Sequence, residues 1–429
     1  MKSNYKRLGD YVQEVNIRNK DLIQAPLMGV SIKKVLMPSI ANIIGTDMST
    51  YKLIKKNQFA YGSVTSRNGD KISIALLEEH DNAMVSQAYT VFEAIDEKEL
   101  LPEYLMMWFR RPEFDRYARF MSHGSAREIF SWTEMRDTLL PIPSPEKQLE
   151  IVKEYNTIQN RIQLNNQLIT KLEETAQAIY KQWFVDFEFP FDFAQGRPDA
   201  DGKSYKSNGG EMVFCEELEK EIPVGWEFGD LGSIIEPING YAFKSEDFSL
   251  NGIYPIIKIK NIKAPYAYIQ SDTQYYNSKL SSNLQKVVIQ KGDVLISMTG
   301  SGANQLNSAV GQVGKYYYNS ISLLNQRVCK LRPKEDYFKE LMFQFISSKE
   351  IQTELLNGST GSANQANISP NQIRELKLLI PNENLMRKFE SIASSINNFK
   401  SLEMIDKLEE LKDLLLARMT KVESRMETV

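Results

Sequence analysis

The sequence predicts an α+β protein: two similar mixed α/β domains joined by two long antiparallel helices that form a coiled coil, with pseudo-twofold symmetry. Three observations predict it. The chain is internally duplicated. Each copy places short β-branched runs ahead of its helices. Each copy then closes on a long segment with coiled-coil spacing.

The duplication is direct. Glu103 to Phe114 (EYLMMWFRRPEF) is answered by Glu340 to Ile351 (ELMFQFISSKEI), 237 positions later. Gly124-Ser125-Ala126 returns as Gly361-Ser362-Ala363, again 237 later. Lys171-Leu172-Glu173-Glu174 returns as Lys407-Leu408-Glu409-Glu410, 236 later. Leu8-Gly9 is matched by Leu231-Gly232 at only 223, and Lys56 by Lys291 at 235. The second copy therefore gains about 12 residues inside its N-terminal part. A period this long marks a duplicated domain, not a solenoid of small repeats.

Each body begins strand-rich. Ile72 to Leu76 and Asp293 to Ser297 are short and β-branched, with Gly, Asn and Ser between such runs, as strands and turns require. Helices follow near 101–121 and 336–356, with Pro112 starting or kinking part of the first. Pro141-Ile142-Pro143 and Leu379-Ile380-Pro381 close the two bodies. In the first long helix Ile151, Tyr155, Ile158, Ile162, Asn165, Ile169, Leu172, Ala176, Ile179 and Trp183 alternate steps of 4 and 3. That is a coiled-coil seam with one polar position, Asn165. Glu146 to Phe184 contains no Gly or Pro, and those 39 residues would span roughly 58 Å. The second helix shows Phe389, Ile392, Ile396 and Phe399, then a phase slip, then Leu408, Leu411 and Leu415. The slip predicts a stutter or a bend. Between the copies, Pro190 to Gly225 reads as an extended connector whose aromatics Phe187, Phe189, Phe191 and Phe193 seek burial.

Bulk composition narrows the function. With 42% apolar and 25% charged residues the chain is ordinary globular material, long enough for two or three domains. The formal net charge of −3 does not mark a simple nucleic-acid binder, although basic groups can still be segregated locally. Cys215 and Cys329 cannot build a disulfide framework and fit a reducing cytoplasm. Met1 to Arg7 lacks the apolar core of a signal peptide, and no apolar run is long enough to cross a membrane, so a cytoplasmic location is expected.

Catalytic chemistry is sparse. His80 and His123 have no Cys, His or carboxylate partners at metal-ligand spacing. Gly314-Lys315 approaches a phosphate loop, but Ala309 and Tyr316 break the motif. Met298 to Gly302 lacks the third glycine of a nucleotide turn. Asp70-Lys71 and Glu375-Leu376-Lys377 imitate nuclease pairs without an upstream acid. The chain reads as a recogniser, not a catalyst.

One set of motifs carries a specific likeness. Trp183-Phe184-Val185-Asp186-Phe187-Glu188, then Gly209-Gly210-Glu211-Met212-Val213 and Ile222-Pro223-Val224-Gly225-Trp226, resembles the central conserved region of type I restriction–modification specificity (S) subunits. Gly361-Ser362-Ala363, Asn367-Ile368-Ser369 and Leu379-Ile380-Pro381 look like the end of a target-recognition domain in that family. Pro143 to Gln148 does too, although the family more often places Glu and Gln side by side. Pro381-Asn382-Glu383-Asn384 departs further and has no Gln there.

The resemblance implies target-recognition domain 1 at 1–143, conserved spacer helix 1 at 144–190, a connector at 191–222, target-recognition domain 2 at 223–381 and conserved spacer helix 2 at 382–429. It implies a non-catalytic subunit that binds double-stranded DNA. Its partners would be two modification (methyltransferase) subunits and restriction (endonuclease/translocase) subunits. No cofactor is expected in this chain; S-adenosylmethionine, ATP and magnesium are implied for the partners. A bipartite, asymmetric DNA site with an unread gap is the expected target. The competing expectation is a protein-binding adaptor with two modules on a helical spine, which the low basicity favours.

Base reading needs donors and acceptors on loops, because Arg pairs guanine and Asn or Gln pairs adenine through two hydrogen bonds. Thr65, Ser66, Arg67, Asn68 and Lys71 form the candidate loop of the first body. Thr299, Ser301, Asn304, Gln305 and Asn307 form the matching loop of the second. Lys33, Lys34, Lys55, Lys56 and Arg127 are candidate phosphate ligands in the first body, and Lys258, Lys260, Lys263 and Lys315 in the second.

Overall fold

The computed structural model describes residues 5–39, 45–66, 71–124, 128–190, 203–301, 308–362, 365–400 and 402–419. The chain divides into two compact units, Met1–Leu164 with Asp406–Val429, and Asn165–Ile405.

Among the described residues the first body has ten strands: β1 (Tyr5–Arg7), β2 (Val12–Val15), β3 (Leu27–Val30), β4 (Leu36–Pro38), β5 (Lys52–Lys55), β6 (Phe59–Gly62), β7 (Ser73–Leu76), β8 (Asn82–Val85), β9 (Thr90–Ala94) and β10 (Leu139–Pro141). One sheet runs β2-β9-β6-β7 and another β4-β3-β8-β5, in which β3 and β8 are parallel. β1 and β10 pair, so the body's first and last strands close on each other. Helices α1 (Pro102–Arg110) and α2 (Pro112–Phe120) each start with proline at the first position, where its missing N–H costs nothing. Pro112 therefore starts a second helix. α3 (Trp132–Asp137) opens on a capping box between Ser131 and Glu134. Phe59, Phe92 and Phe109 are fully buried, with Phe59 stacked on Phe92 at 4.7 Å.

In the second unit the hairpin β11 (Met212–Cys215) and β12 (Lys220–Pro223) precedes the body. There follow β13 (Glu227–Asp230), β14 (Ile235–Asn239), β15 (Tyr254–Ile257), β16 (Ile262–Lys263), β17 (Tyr266–Ala267), β18 (Tyr275–Tyr276) and β19 (Val288–Ile289). The last strands are β20 (Val294–Ser297), β21 (Thr299–Gly300), β22 (Val313–Tyr316), β23 (Ser322–Leu324), β24 (Val328–Pro333), β25 (Thr360–Ser362), β26 (Gln365–Asn367) and β27 (Lys377–Ile380). The order β14-β24-β20-β22 repeats β2-β9-β6-β7, and β18-β15-β23-β19 repeats β4-β3-β8-β5, including the one parallel pair. β13 pairs β27 as β1 pairs β10.

The extra length of the second copy has a definite form. Five residues, 31–35, join β3 to β4, whereas seventeen, 258–274, join β15 to β18. The additional residues fold as the β16–β17 hairpin, which extends the larger sheet beyond β22. The Leu-Gly repeat has a packing cause. A Cβ on Gly9 would lie 3.0 Å from Cβ of Arg136 on α3, and one on Gly232 would lie 2.9 Å from Cβ of Arg374. Arg374 belongs to α8 (Pro370–Arg374), which has its own capping box at Ser369. The second body also carries α5 (Ser282–Lys286), α6 (Lys339–Ile346) and α7 (Lys349–Asn357).

Helix α4 (Pro145–Tyr180) runs for 36 residues and passes into a π-helical turn over Lys181–Val185. The seam positions Tyr155, Ile158, Ile162, Ile169, Ala176 and Trp183 are buried, as the 4–3 spacing requires. Gln148 anchors the start of the helix: fully buried, its Nε2 donates to the carbonyls of Glu99 (2.8 Å) and Pro143 (2.9 Å), and its Oε1 accepts from the N–H of Leu101. At the equivalent place in the second copy, buried Leu385 replaces this polar anchor and Asn382 caps the helix. The second long helix is two pieces, α9 (Glu383–Asn398) and α10 (Leu402–Arg418), broken where the phase slip falls. Phe399 and Leu411, expected in the seam, are 71% and 43% exposed. The break rotates Phe399 out and puts Lys400 inward in its place.

Within the first unit, Val152 and Tyr155 of α4 share a buried cluster with Leu416 and, just past α10, Met419. Within the second, Trp183 and Phe184 pack on Phe389 of α9, with ring centroids 5.9 and 4.8 Å apart. The start of the first helix thus meets the end of the second, and its end meets the second's start, which is antiparallel pairing. Of the connector aromatics, Phe187 and Phe189 are buried beside Trp226, while Phe191 and Phe193 lie outside the described residues. No helix among the described residues is long and apolar enough to cross a membrane.

Candidate nucleic-acid interface

The two candidate reading loops sit on equivalent strand ends. In the first body the loop leaves β6 at Gly62 and returns at Ser73, which pair directly. Its base is tied to the segment around the Gly-Ser-Ala turn: Val64 bridges Ile129, Ile129 bridges His123, and the N–H of Thr65 donates to the carbonyl of Glu128 at 3.0 Å. In the second body β21 pairs β26, and β26 pairs β25, which holds the repeated Gly361 and Ser362. Gly124 and Gly361 hold φ of +135° and +138°, the left-handed side that glycine tolerates. Repeated residues thus lie at the bases of loops that differ in sequence.

Ser66 and Lys71 are exposed beside the first loop, and Ser301 is half-buried at the second. Arg67, Asn68, Arg127, Asn304, Gln305 and Asn307 lie outside the described residues. Thr65 is a correction. It is buried, and its hydroxyl bonds Ser122 Oγ (2.9 Å) and the carbonyl of Glu128, so it braces the loop from inside. Thr299 is another: its Oγ1 is buried with no hydrogen-bond partner among the described residues and does not face solvent.

The lysines divide sharply. Lys34 is 4% exposed; its Nζ lies 2.8 Å from Asp115 Oδ1 and donates to the carbonyl of Phe109. Burial pushes its pKa down, Asp115 opposes this, and neighbouring Lys71 and Arg110 add to the depression. Lys315 is 1% exposed and ion-paired with Glu340, with its ammonium 4.3 Å from the Phe343 ring centroid. Neither can hold a phosphate, because each already has a buried carboxylate as counter-ion.

Lys258 is half-buried against the Phe248 ring at 3.7 Å, and Lys260 pairs with Asp272 at 2.6 Å. Burial, then the charge of Lys260, lowers the pKa of Lys258. Lys263 is exposed on the β16–β17 hairpin. Lys33 is exposed on the β3–β4 turn, next in sequence to Lys34. Lys55 and Lys56 are exposed but adjoin the Phe59 end of β6, a strand's length (about 10 Å) from the loop at Gly62. They are not brought together with it.

Arg116 and Arg119, three apart on α2, were missed. Arg119 reaches the loop base, donating from Nη1 to the carbonyl of Thr65 (3.3 Å) and pairing with Glu128 at 2.9 Å. Their signal was a pair of arginines on one face of a helix that the repeat had already located.

A buried polar chain in the second unit was missed as well. Glu340 Oε2 accepts from Lys315 and from Asn397 Nδ2 (3.0 Å), and Asn397 Oδ1 accepts from Tyr317 (2.8 Å) and Lys400 (3.0 Å). Lys400 then donates to Glu173 Oε1 at 2.7 Å, which also accepts from the Tyr266 hydroxyl at 2.8 Å. This chain ties the sheet and α6 to α9, Lys400 just past it, and α4. Its components are structural. Among the described residues no three His, Cys, Asp or Glu gather where they could hold a metal ion.

The model of the type I restriction modification DNA specificity domain matches residues 18–174 and 223–413. The chain is 23% identical over 432 residues to the type I restriction enzyme HindI specificity subunit of Haemophilus influenzae, covering 90% of each chain. It is 23% identical over 334 residues to the MjaIX specificity subunit of Methanocaldococcus jannaschii, covering 76% of this chain and 70% of that one. A crystal structure of a type I restriction–modification S subunit from M. genitalium shares the fold, with a TM-score of 0.56 at 13% identity over 97% of this chain and 95% of the other. With two matched segments spanning most of its length, the chain belongs to the type I restriction modification DNA specificity family.

Proposed function

We propose that this chain is the specificity subunit of a type I restriction–modification complex and reads a bipartite, asymmetric DNA site. The observation that carries this reading is a duplicated frame bearing unlike loops. The sheets, the Leu-Gly contact and the glycine turn repeat, while the loop at 65–71 and the loop at 299–307 differ in sequence. Each body would read one half-site, phosphates taking exposed lysines and arginines and base edges taking loop side chains. The spacer helix would set the unread gap. Adenine methylation or cleavage would be performed by partner modification and restriction subunits, with S-adenosylmethionine, ATP and magnesium bound there.

The test is binding of a duplex library by the full chain co-expressed with the methyltransferase subunits of its host. Selective retention of a two-part motif, with affinity falling linearly in log salt, is expected. Retention of duplexes without sequence preference would refute the reading, and no retention beyond that of the methyltransferase subunits alone would favour the adaptor.

A further inference from the structure

The C-terminal half of α2 presents a combination that reading-loop chemistry does not use. Phe114, Asp115 and Ala118 face the core, while Phe120 at the last position is 83% exposed. Its ring walls a cleft of about 510 Å³ shared with Lys71, Pro112, Asp115, Arg116 and Arg119. Asp115 is neutralised from beneath by Lys34 at 2.8 Å and accepts the N–H of Ile72. Three cations therefore line the cleft against a carboxylate that already has its counter-ion. Arg116 pairs with the exposed Glu113 at 3.4 Å. A phenyl ring left in water beside such a cleft suits a polyanion whose stacked base steps an apolar side chain can open, and duplex DNA is that ligand.

The aligned helix of the second body carries other side chains. At the 237 offset, Arg116, Arg119 and Phe120 correspond to Thr353, Leu356 and Asn357. The sheets repeat, but the aromatic and its cations do not.

We propose that Phe120 is an apolar wedge that opens a base step in the half-site read by the first body only, while Arg116 and Lys71 hold the flanking phosphates. Aromatic side chains inserted at a base step unstack and kink the duplex. Arg119, engaged with Thr65 and Glu128, acts as a positioning residue that joins the wedge helix to the reading loop. The inference rests on the DNA-reading function proposed above and adds a distortion confined to one half-site.

The experiment uses the full chain assembled with its modification subunits and a duplex carrying its mapped site. A single 2-aminopurine is walked through both half-sites, leaving the methylated adenines unsubstituted. The wild-type complex should raise emission several-fold at one step of one half-site. Phe120→Ala should abolish that rise and weaken binding by about tenfold, as loss of one base–aromatic stack implies. Phe120→Trp should preserve both. Arg116→Gln should keep the emission and reduce the salt slope by about one. If the wild type binds its site with no unstacked step, or with equal steps in both halves, the wedge is wrong. The same follows if Phe120→Ala keeps both emission and affinity. If the wild-type complex binds no specific site, the function proposed above fails first, and that result is separately visible.

Discussion

Glu173→Ala should be among the most damaging single changes on the spacer helices. The carboxylate side chain is 9% exposed and its Oε1 holds both Lys400 Nζ (2.7 Å) and the Tyr266 hydroxyl (2.8 Å). Lys400 is 1% exposed, so without Glu173 a buried ammonium would keep the Asn397 side-chain carbonyl, the Tyr317 ring at 5.8 Å and the more distant Glu340, but lose its adjacent counter-ion. Breaking a buried ion pair from one side costs about 3–5 kcal/mol, since the remaining charge stays desolvated. Burial already depresses the pKa of Lys400, and Glu173 works against it. In the variant the unfolded chain binds the extra proton more readily than the folded one between the depressed folded pKa and 10.5. Stability of Glu173→Ala should therefore rise with pH through that window, more steeply than in the wild type. Hydrogen exchange resolved by peptide, read over 383–398 and 165–180, isolates this unit where a global melt of a two-unit chain would not. The double variant Glu173→Leu with Lys400→Met should recover most of the loss, because an apolar pair carries no uncompensated charge. A loss below about 1 kcal/mol, typical of a surface pair, or a double variant as weak as the sum of its singles, would refute the reasoning.

Gly232→Ala and Gly9→Ala should each cost about 1–3 kcal/mol in thermal unfolding, because the added methyl meets the Cβ of Arg374 or Arg136 at 2.9 or 3.0 Å. A neutral result at both sites would show that α8 and α3 shift freely. Lys34→Met should lower the stability of the first unit, leaving Asp115 buried and short of its cation. Lys33→Gln should leave stability unchanged and lower the salt slope of DNA binding; the opposite pattern would overturn the division of the lysines. Burial pushes Glu340 up, but Lys315, Gln344 and Asn397 more than offset it, so its pKa lies below 4.5. Its stabilisation is present above pH 4.5 and is lost as pH falls through the depressed value; Glu390, pushed up chiefly by burial, works in the opposite sense above 4.5. Acid titration of Glu340→Gln should show a shallower loss below pH 4.5 than the wild type, and an unchanged limb would contradict the assignment. Matched heptad insertions in α4 and the second long helix should lengthen the gap in the methylated motif, and an unchanged motif would end the ruler idea.

The frame was legible because packing leaves a period. Buried seam positions at Tyr155, Ile158 and Ile162 are what 4–3 spacing reports, and the drift from 223 to 235 located the added β16–β17 hairpin. The phase slip marked the helix break but not what fills it. Lys400 turns inward because Glu173 waits 227 positions away. Lys34 and Lys315 were misread for the same reason. A lysine that meets a buried carboxylate 81 or 25 residues distant looks, in one dimension, like any surface lysine. Thr65 has the composition of a loop reader, yet its hydroxyl is consumed by Ser122 and Glu128. Phe120 lies six residues past the repeated stretch Glu103 to Phe114, and the pattern that identified the helix gave no hint that its last aromatic faces out.

The central claim is that each body reads one half of a two-part site. Single-molecule methylation sequencing of cells expressing this chain with its modification subunits tests it most directly, run beside a chimera whose residues 1–143 come from another family member. The account predicts an asymmetric motif with adenine methylation in both halves and a fixed unread gap. The chimera should change one half only and keep the other half and the gap. A continuous motif, or a chimera that changes both halves or neither, would contradict it.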